Sequence, residues 1–430
     1  MNPPTTFLVS ALLLVSLAAS PAGDVADDGL LLTLTVPPGT GDRFQYGEFS
    51  CWLPDPAQAV RGVIIHQHGC TNASPEKHPP VTLDFHWREL ARKHQCALLS
   101  PQYQVAGNCD EWNDPDSGSE RALFTALKDF GGRAGRPELP DVPWVLWGHS
   151  GGSSWSAQMI VRHPGRVLAA SFRGGCHKQF GVPEFRARFA PVAREIPLLF
   201  VWGKRETVPT SSHHVSWEPM NAMYRELRSS GGTVARVIDP RSEHGCDDSR
   251  LLVIPFFDAA LGARLAGQPL PGALVDMDSR EVRPITPDAL DDPALAWLPT
   301  PEVAALWQEF SKTGTIGPVQ PRLSPPALQA DRTDEGRVRL TWRVEPEVNG
   351  GLRALRLYRD GVLWKELGAK PGDYVATSRD APPEGLRQPW IIDDTVPDVA
   401  SPAYTLTFLD AAGNESPPSP PAGAAPPSGR

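Results

Sequence analysis

One short stretch places a serine where chain geometry would expose it. In VPWVLWGHSGGSSW, residues 142–155, Trp144 to Trp147 form an apolar, β-prone run that predicts a buried strand. Gly148, Gly151 and Gly152 then supply bare backbone for a sharp turn, and a helix is predicted from Ser153 to His163, stopped at Pro164. Ser150 is thereby lifted out of the sheet, with the positive end of a helix behind it. Such a hydroxyl is suited to nucleophilic attack, but it needs a base within hydrogen-bond reach and a third group to orient that base.

Two later strand ends supply those groups. LLFVWGKRETVP delivers Glu206 and ARVIDPRSEHGCDD delivers His244, giving the chain order serine, acid, histidine. Asp239, Glu243 and Asp247 are rivals for the acid, but the first precedes the histidine loop and the others lie within it. Glu206 is preferred for its position just beyond a strand. An early strand ends in HQHGC, where backbone N–H groups around Gly69 and Cys70, with that of Gly151, would meet a developing oxyanion. One such donor is worth roughly 100- to 1,000-fold in rate. His149 adjoins the serine, yet on this turn its ring points away from the hydroxyl, so a structural or pocket-lining role is expected. Trp112, Trp155 and Trp217 are candidates for an aromatic substrate groove, with core packing as the competing reading. His213 and His214 lack the carboxylate or cysteine spacing of a metal site and read as loop histidines, so neither metal nor cofactor is predicted.

The elements that must position these residues alternate. From about residue 60 to 265, apolar runs such as GVIIHQHG and CALLSPQY are interleaved with helical patterns. VTLDFHWRELARKH carries Leu83, Trp87 and Leu90 on one face, and ERALFTALKDF carries Leu123, Leu127 and Phe130. This alternation predicts an α/β fold with a mostly parallel sheet covered by helices on both faces, its ligands bound beyond the carboxyl ends of the strands. Residues 267–320 are proline-rich and read as an irregular connector with one short helix in TPEVAALWQEFSKTG. From Pro321 the period becomes two, as in RVRLTWRV and AYTLTFLD, with a tight turn at Asp360-Gly361, which predicts an all-β sandwich over 321–418. The tail, 419–430, is low-complexity and reads as disordered.

The chain of 430 residues is too long for one compact core. Its 41 Lys and Arg against 50 Asp and Glu give a net charge of -9, which argues against a nucleic-acid partner. Phe7 to Ala19 is apolar but short for a bilayer span, and small residues up to Ala22 fit a cleaved signal peptide over residues 1–22. A secreted or periplasmic protein with no integral membrane segment after cleavage is expected. In that setting the six cysteines favour disulfides over zinc, which would need closely spaced pairs.

Over residues 45–265 the chain resembles the α/β-hydrolase family. HGCTN followed by SPQYQVAGNCDEWND is similar to the exported polyhydroxybutyrate-depolymerase and feruloyl-esterase-like branch. The resemblance implies a Cys70–Cys109 bridge beside the oxyanion loop, and hydrolysis of small or polymeric carboxylic esters by Ser150, Glu206 and His244. Cys176 and Cys246 follow two strands near the site and are expected to pair, leaving Cys51–Cys96 as the third bridge. Residues 321–418 resemble a fibronectin type III module through Trp342, YRDG and YTLTFLDAAGNES, with Tyr404 at the tyrosine corner; the module is read as a spacer, with polymer or matrix contact as the alternative. A peptidase using the same triad, or an inert hydrolase fold acting as a binding protein, remain the competing readings.

Overall fold

A computed structural model describes residues 25–26, 29–70, 80–316, 327–333, 335–343, 352–368, 391–395, 401–410 and 415–423. The expected signal peptide, residues 1–22, lies outside them. The first nine strands build one sheet: β1 (Val25–Ala26), β2 (Gly29–Val36), β3 (Tyr46–Leu53), β4 (Gly62–Gln67), β5 (Cys96–Gln104), β6 (Trp144–His149), β7 (Val167–Arg173), β8 (Leu198–Gly203) and β9 (Val234–Asp239). Their order is β1-β2-β3-β5-β4-β6-β7-β8-β9, with β4 to β9 parallel and β1 to β3 added antiparallel at one side. Every residue of β4, β6 and β8 is buried, as strands covered on both faces must be. The connection after β4 leads to β5 on one side, whereas the connection after β6 leads to β7 on the other. The carboxyl ends of β4 and β6 therefore flank the point where loops diverge and a crevice opens.

Side chains alternate between two cores across this sheet. On one face α2 (Ser119–Ala134), α3 (Gly151–Arg162), α4 (His177–Phe180), α5 (Pro183–Ala193) and α6 (Trp217–Ser229) pack Leu123, Phe130, Met159, Phe180, Phe189 and Met223 against Val63, Leu146 and Phe200. On the other, α1 (Phe85–His94) and α7 (Arg250–Leu265) pack Trp87, Leu90, Phe256 and Phe257 against Ile64, Trp147 and Val201. The helix predicted from residue 81 starts later, because Asp84 caps it: its carboxylate accepts from Trp87 N at 3.1 Å and binds Arg250 at 2.5 Å.

The segment 267–316 is not a connector. It forms a small antiparallel sheet of β10 (Ala273–Asp276), β11 (Val282–Arg283) and β12 (Leu295–Leu298), followed by α8 (Pro301–Thr313). Val275, Leu298, Val303, Trp307, Phe310 and Ile316 join the second core. Polar anchors fix the segment: Tyr224 OH and Arg228 Nε donate to Leu295 O at 2.9 and 2.8 Å, and Trp307 Nε1 donates to Arg236 O at 2.9 Å. Its prolines sit at the edges of short elements: Pro301 opens α8 and Pro299 follows β12.

Beyond it, β13 (Ala327–Arg332), β14 (Val338–Arg343) and β17 (Ile391–Asp394) form one antiparallel sheet. A second comprises β15 (Leu352–Arg359), β16 (Val362–Gly368), β18 (Ala403–Asp410) and β19 (Ala422–Gly423). Leu340, Trp342, Leu357, Tyr404, Leu406 and Phe408 share a core between them. Asp360 and Gly361 turn the β15–β16 hairpin with φ of 52° and 77°. The start of the expected disordered tail is ordered: Leu406 N donates to Ser419 Oγ at 3.0 Å, and β19 pairs with β18; residues 424–430 lie outside the described residues.

Phe310 is fully buried in the second core. Phe310→Ala is expected to cost about 3–5 kcal/mol in denaturant unfolding. A loss within about 0.5 kcal/mol, the range of a surface site, would contradict the packing of this segment.

Candidate active site

Ser150 sits between β6 and α3 with φ 54° and ψ −116°, a conformation that costs a non-glycine residue roughly 1–3 kcal/mol. Its neighbours hold it there. Ser150 N donates to Arg173 O at 2.9 Å, and Ser153 N and Ser154 N donate back to Ser150 O. Gly152 must lack a side chain because a Cβ would collide with the Gln67 carbonyl at the end of β4. Gly69 faces the serine itself: a Cβ there would stand 2.7 Å from Ser150 Cβ. Gly151 opens α3, so its N–H has no acceptor within the helix. The Cys70–Cys109 disulfide lies against it, a Cβ on Gly151 standing 2.7 Å from Cys109 Sγ and 3.3 Å from Cys70 Sγ. The bridge ties the loop after β4 to the segment before α2, beside Gly151.

Glu206 lies in the turn just after β8 and is fully buried. Its Oε1 accepts from His244 Nδ1 at 2.6 Å, and its Oε2 accepts from Arg173 Nη1 at 2.5 Å and Gly203 N at 2.8 Å. Burial alone would raise its pKa, but the Arg173 charge, the His244 bond and the Gly203 N–H outweigh it and hold the carboxyl at about 2. With Nδ1 committed to Glu206, His244 keeps Nε2 for other partners. Among the described residues no hydrogen bond joins His244 to Ser150; such bonds in ligand-free sites are often long and tighten on substrate binding. One turn adjoins both groups. A Cβ on Gly174 would stand 3.0 Å from His244 Cε1 and from Glu206 Oε1, and one on Gly175 would collide with Ser150 O.

Two further histidines surround the base. His149 is buried, and its Nε2 donates to His244 O at 2.7 Å. Burial, with His244, Arg173 and His68 nearby, pushes its pKa well below 6.5. It props the loop of His244. His213, expected as an ordinary loop residue, stacks on His244 with centroids 3.8 Å apart and planes 4° from parallel. Burial and then the His244 charge lower its pKa as well. His214 Nδ1 bonds Glu206 O at 3.1 Å. Among the described residues no group of His, Cys, Asp or Glu could hold a metal ion.

The tryptophan expectations need correction. Trp112 is core, stacked on Tyr103 at 5.3 Å, and Trp155 is fully buried with Nε1 donating to Ser119 Oγ at 3.1 Å. Neither offers a surface to substrate. Trp217 is half-buried and meets Trp202 edge-on at 5.1 Å. The Cys51–Cys96 and Cys176–Cys246 bridges are not formed. Cys51 and Cys176 belong to the first core and Cys96 and Cys246 to the second, so the sheet separates each pair. Burial instead pushes the Cys51 and Cys96 thiols up to about 12. Of the rival acids, Asp239 caps Arg241 N at 2.9 Å and Glu243 takes a bond from Ser211 Oγ at 3.2 Å. The side chain of Asp247 lies outside the described residues.

Arg173 was not anticipated from sequence. It ends β7 at 1% exposure and grips both Glu206 and the loop that carries His244. The signal available was a lone charged residue closing an apolar strand, before two glycines, in VLAASFRGG.

No family model matches the chain, and no curated protein matches it. Among solved structures it is similar to an S-formylglutathione hydrolase from Agrobacterium tumefaciens, with 14% identity over 56% of this chain and 97% of that one, TM-score 0.37. It is also similar to poly(aspartic acid) hydrolase-1 from Sphingomonas sp. KT-1, with 14% identity over 50% and 93% of the two chains and TM-score 0.35. A ferulic acid esterase matches at 12% identity over 50% and 92%, with TM-score 0.37.

Because the folded pKa of Glu206 lies below the ordinary 4.5, its ionisation stabilises the fold fully above pH 4.5, and this contribution is lost as pH falls toward 2. Denaturant unfolding from pH 6 to pH 2 should show the parent losing about 3 kcal/mol more than Glu206→Gln. Parallel pH dependences would contradict the ionised, buried carboxylate.

Proposed function

We propose that this protein is an exported serine hydrolase that cleaves carboxylic esters through an acyl-enzyme. The observation that carries the reading is the buried Glu206–His244 bond set against a serine on a positive-φ turn. Three strand ends contribute, and a bare-backbone turn touches both the pair and the serine.

In this mechanism Ser150 Oγ attacks the ester carbonyl carbon while its proton passes to His244 Nε2. Glu206, fixed at Nδ1, stabilises the imidazolium that forms. Negative charge gathers on the former carbonyl oxygen, which the N–H groups of Gly151 and Cys70 receive; Gly69 keeps the approach open because it carries no side chain. Collapse breaks the ester C–O bond, and His244 returns the proton to the leaving alcohol. Water then attacks the acyl carbon, its proton goes to His244, and Ser150 leaves with that proton as the acid is released. The C-terminal sheets are assigned to a fibronectin type III-like spacer. Their hairpin at Asp360-Gly361 and their shared core support this reading; the Tyr404 OH donates to the Asp394 carboxylate at 2.7 Å rather than to backbone as in a tyrosine corner.

The parent is expected to hydrolyse p-nitrophenyl esters and to take up a fluorophosphonate at Ser150, located by peptide mass spectrometry. Ser150→Ala and His244→Ala should each lower kcat by at least about 10,000-fold. A folded parent with neither label nor turnover would sink the proposal. Faster cleavage of peptide amides than of esters would instead favour a peptidase.

A further inference from the structure

Arg173 is charged, buried and absent from the acyl-transfer steps, so its cost of desolvation calls for a reason. Its contacts supply one. Nη1 donates to Glu206 Oε2 at 2.5 Å, while Nη2 donates to Ser242 Oγ at 3.1 Å and to the carbonyls of Glu243, at 2.5 Å, and Gly245. Those two carbonyls flank His244 on either side. One planar guanidinium thus holds the acid and the backbone on both sides of the base. A lysine ammonium, a point charge on a flexible stem, lacks that fork.

We infer that Arg173 is a positioning residue of the proposed hydrolase: its fork sets His244 against Glu206 by holding the acid and the loop of the base together. This rests on the reading of Ser150, Glu206 and His244 as a triad. The other charged or titratable groups facing this spot are Asp239 at the end of β9, Glu243 and Cys246 in the base's loop, His149 at the end of β6, and His213 before α6. Glu206 is the acid that Arg173 bonds through its side chain, and it shares that carboxylate with His244. The Arg173 charge is among the interactions that hold the Glu206 carboxyl low against its burial.

The test is the split between kcat and KM on a p-nitrophenyl ester for the parent, Arg173→Met and Arg173→Lys, with thermal melts to establish folding. Arg173→Met loses both charge and fork, and its kcat should fall at least on the order of 100-fold with KM little changed, a split that loosened packing alone would not produce. Arg173→Lys keeps the charge beside Glu206 but not the planar fork. With the fork gone, its kcat should fall on the order of 100-fold, with KM little changed. A folded Arg173→Met or Arg173→Lys as active as the parent overturns the inference. So does loss of folding in both variants, which would make Arg173 a fold element rather than a positioning one. A parent that neither turns over ester nor labels at Ser150 refutes the proposed function itself.

Discussion

A carboxylate sealed from water has to remain charged, and the geometry of the candidate site follows from how this is achieved. Glu206 has no exposed surface, and an isolated ionised carboxyl in such a place would take up a proton. Three donors prevent this: the Arg173 guanidinium, the Gly203 N–H and His244 Nδ1. Each comes from a different part of the chain, so satisfying one side chain brings the ends of β7 and β8 and the loop after β9 together. His149 and His213 then complete the surroundings of the base, one through its carbonyl and the other through its ring face.

The sheet order explains why the serine is found at this place. Loops after β4 and β6 leave in opposite directions, and the gap between them receives Gly69 and Ser150. The approach is so close that a single added carbon on Gly69 or Gly152 meets backbone or the serine itself. Strain at Ser150 is held by that crowding and by its bond to Arg173 O, so the residue that grips the acid through its side chain also supports the nucleophile through its backbone.

Much of this was legible in the sequence, for definite reasons. Parallel strands buried on both faces leave continuous apolar runs, and their ends mark where Ser150, Glu206 and His244 must emerge. What the pattern could not disclose was partnership across the fold. Arg173 lies 33 positions before Glu206, and nothing local links them. The Cys70–Cys109 bridge is present, whereas the other two cysteine pairings fail because the face a residue takes depends on strand register, and register places Cys51 opposite Leu99 rather than near Cys96. Trp112 and Trp155 fail as groove residues for a related reason: sequence shows where they stand but not whether they meet solvent. In 267–316, strands of two to four residues are too short to show a period, so proline content dominated the reading.

That last segment bears on how the molecule is made. Since β10, β12 and α8 supply one wall of the second core, the helices and strands before them cannot bury that face by themselves. During synthesis the apolar side of β9 and α7 stays bare until the chain has emerged as far as Ile316. For the time it takes to translate those last fifty-odd positions, the nascent polypeptide presents a greasy flank that invites chaperones or unwanted association.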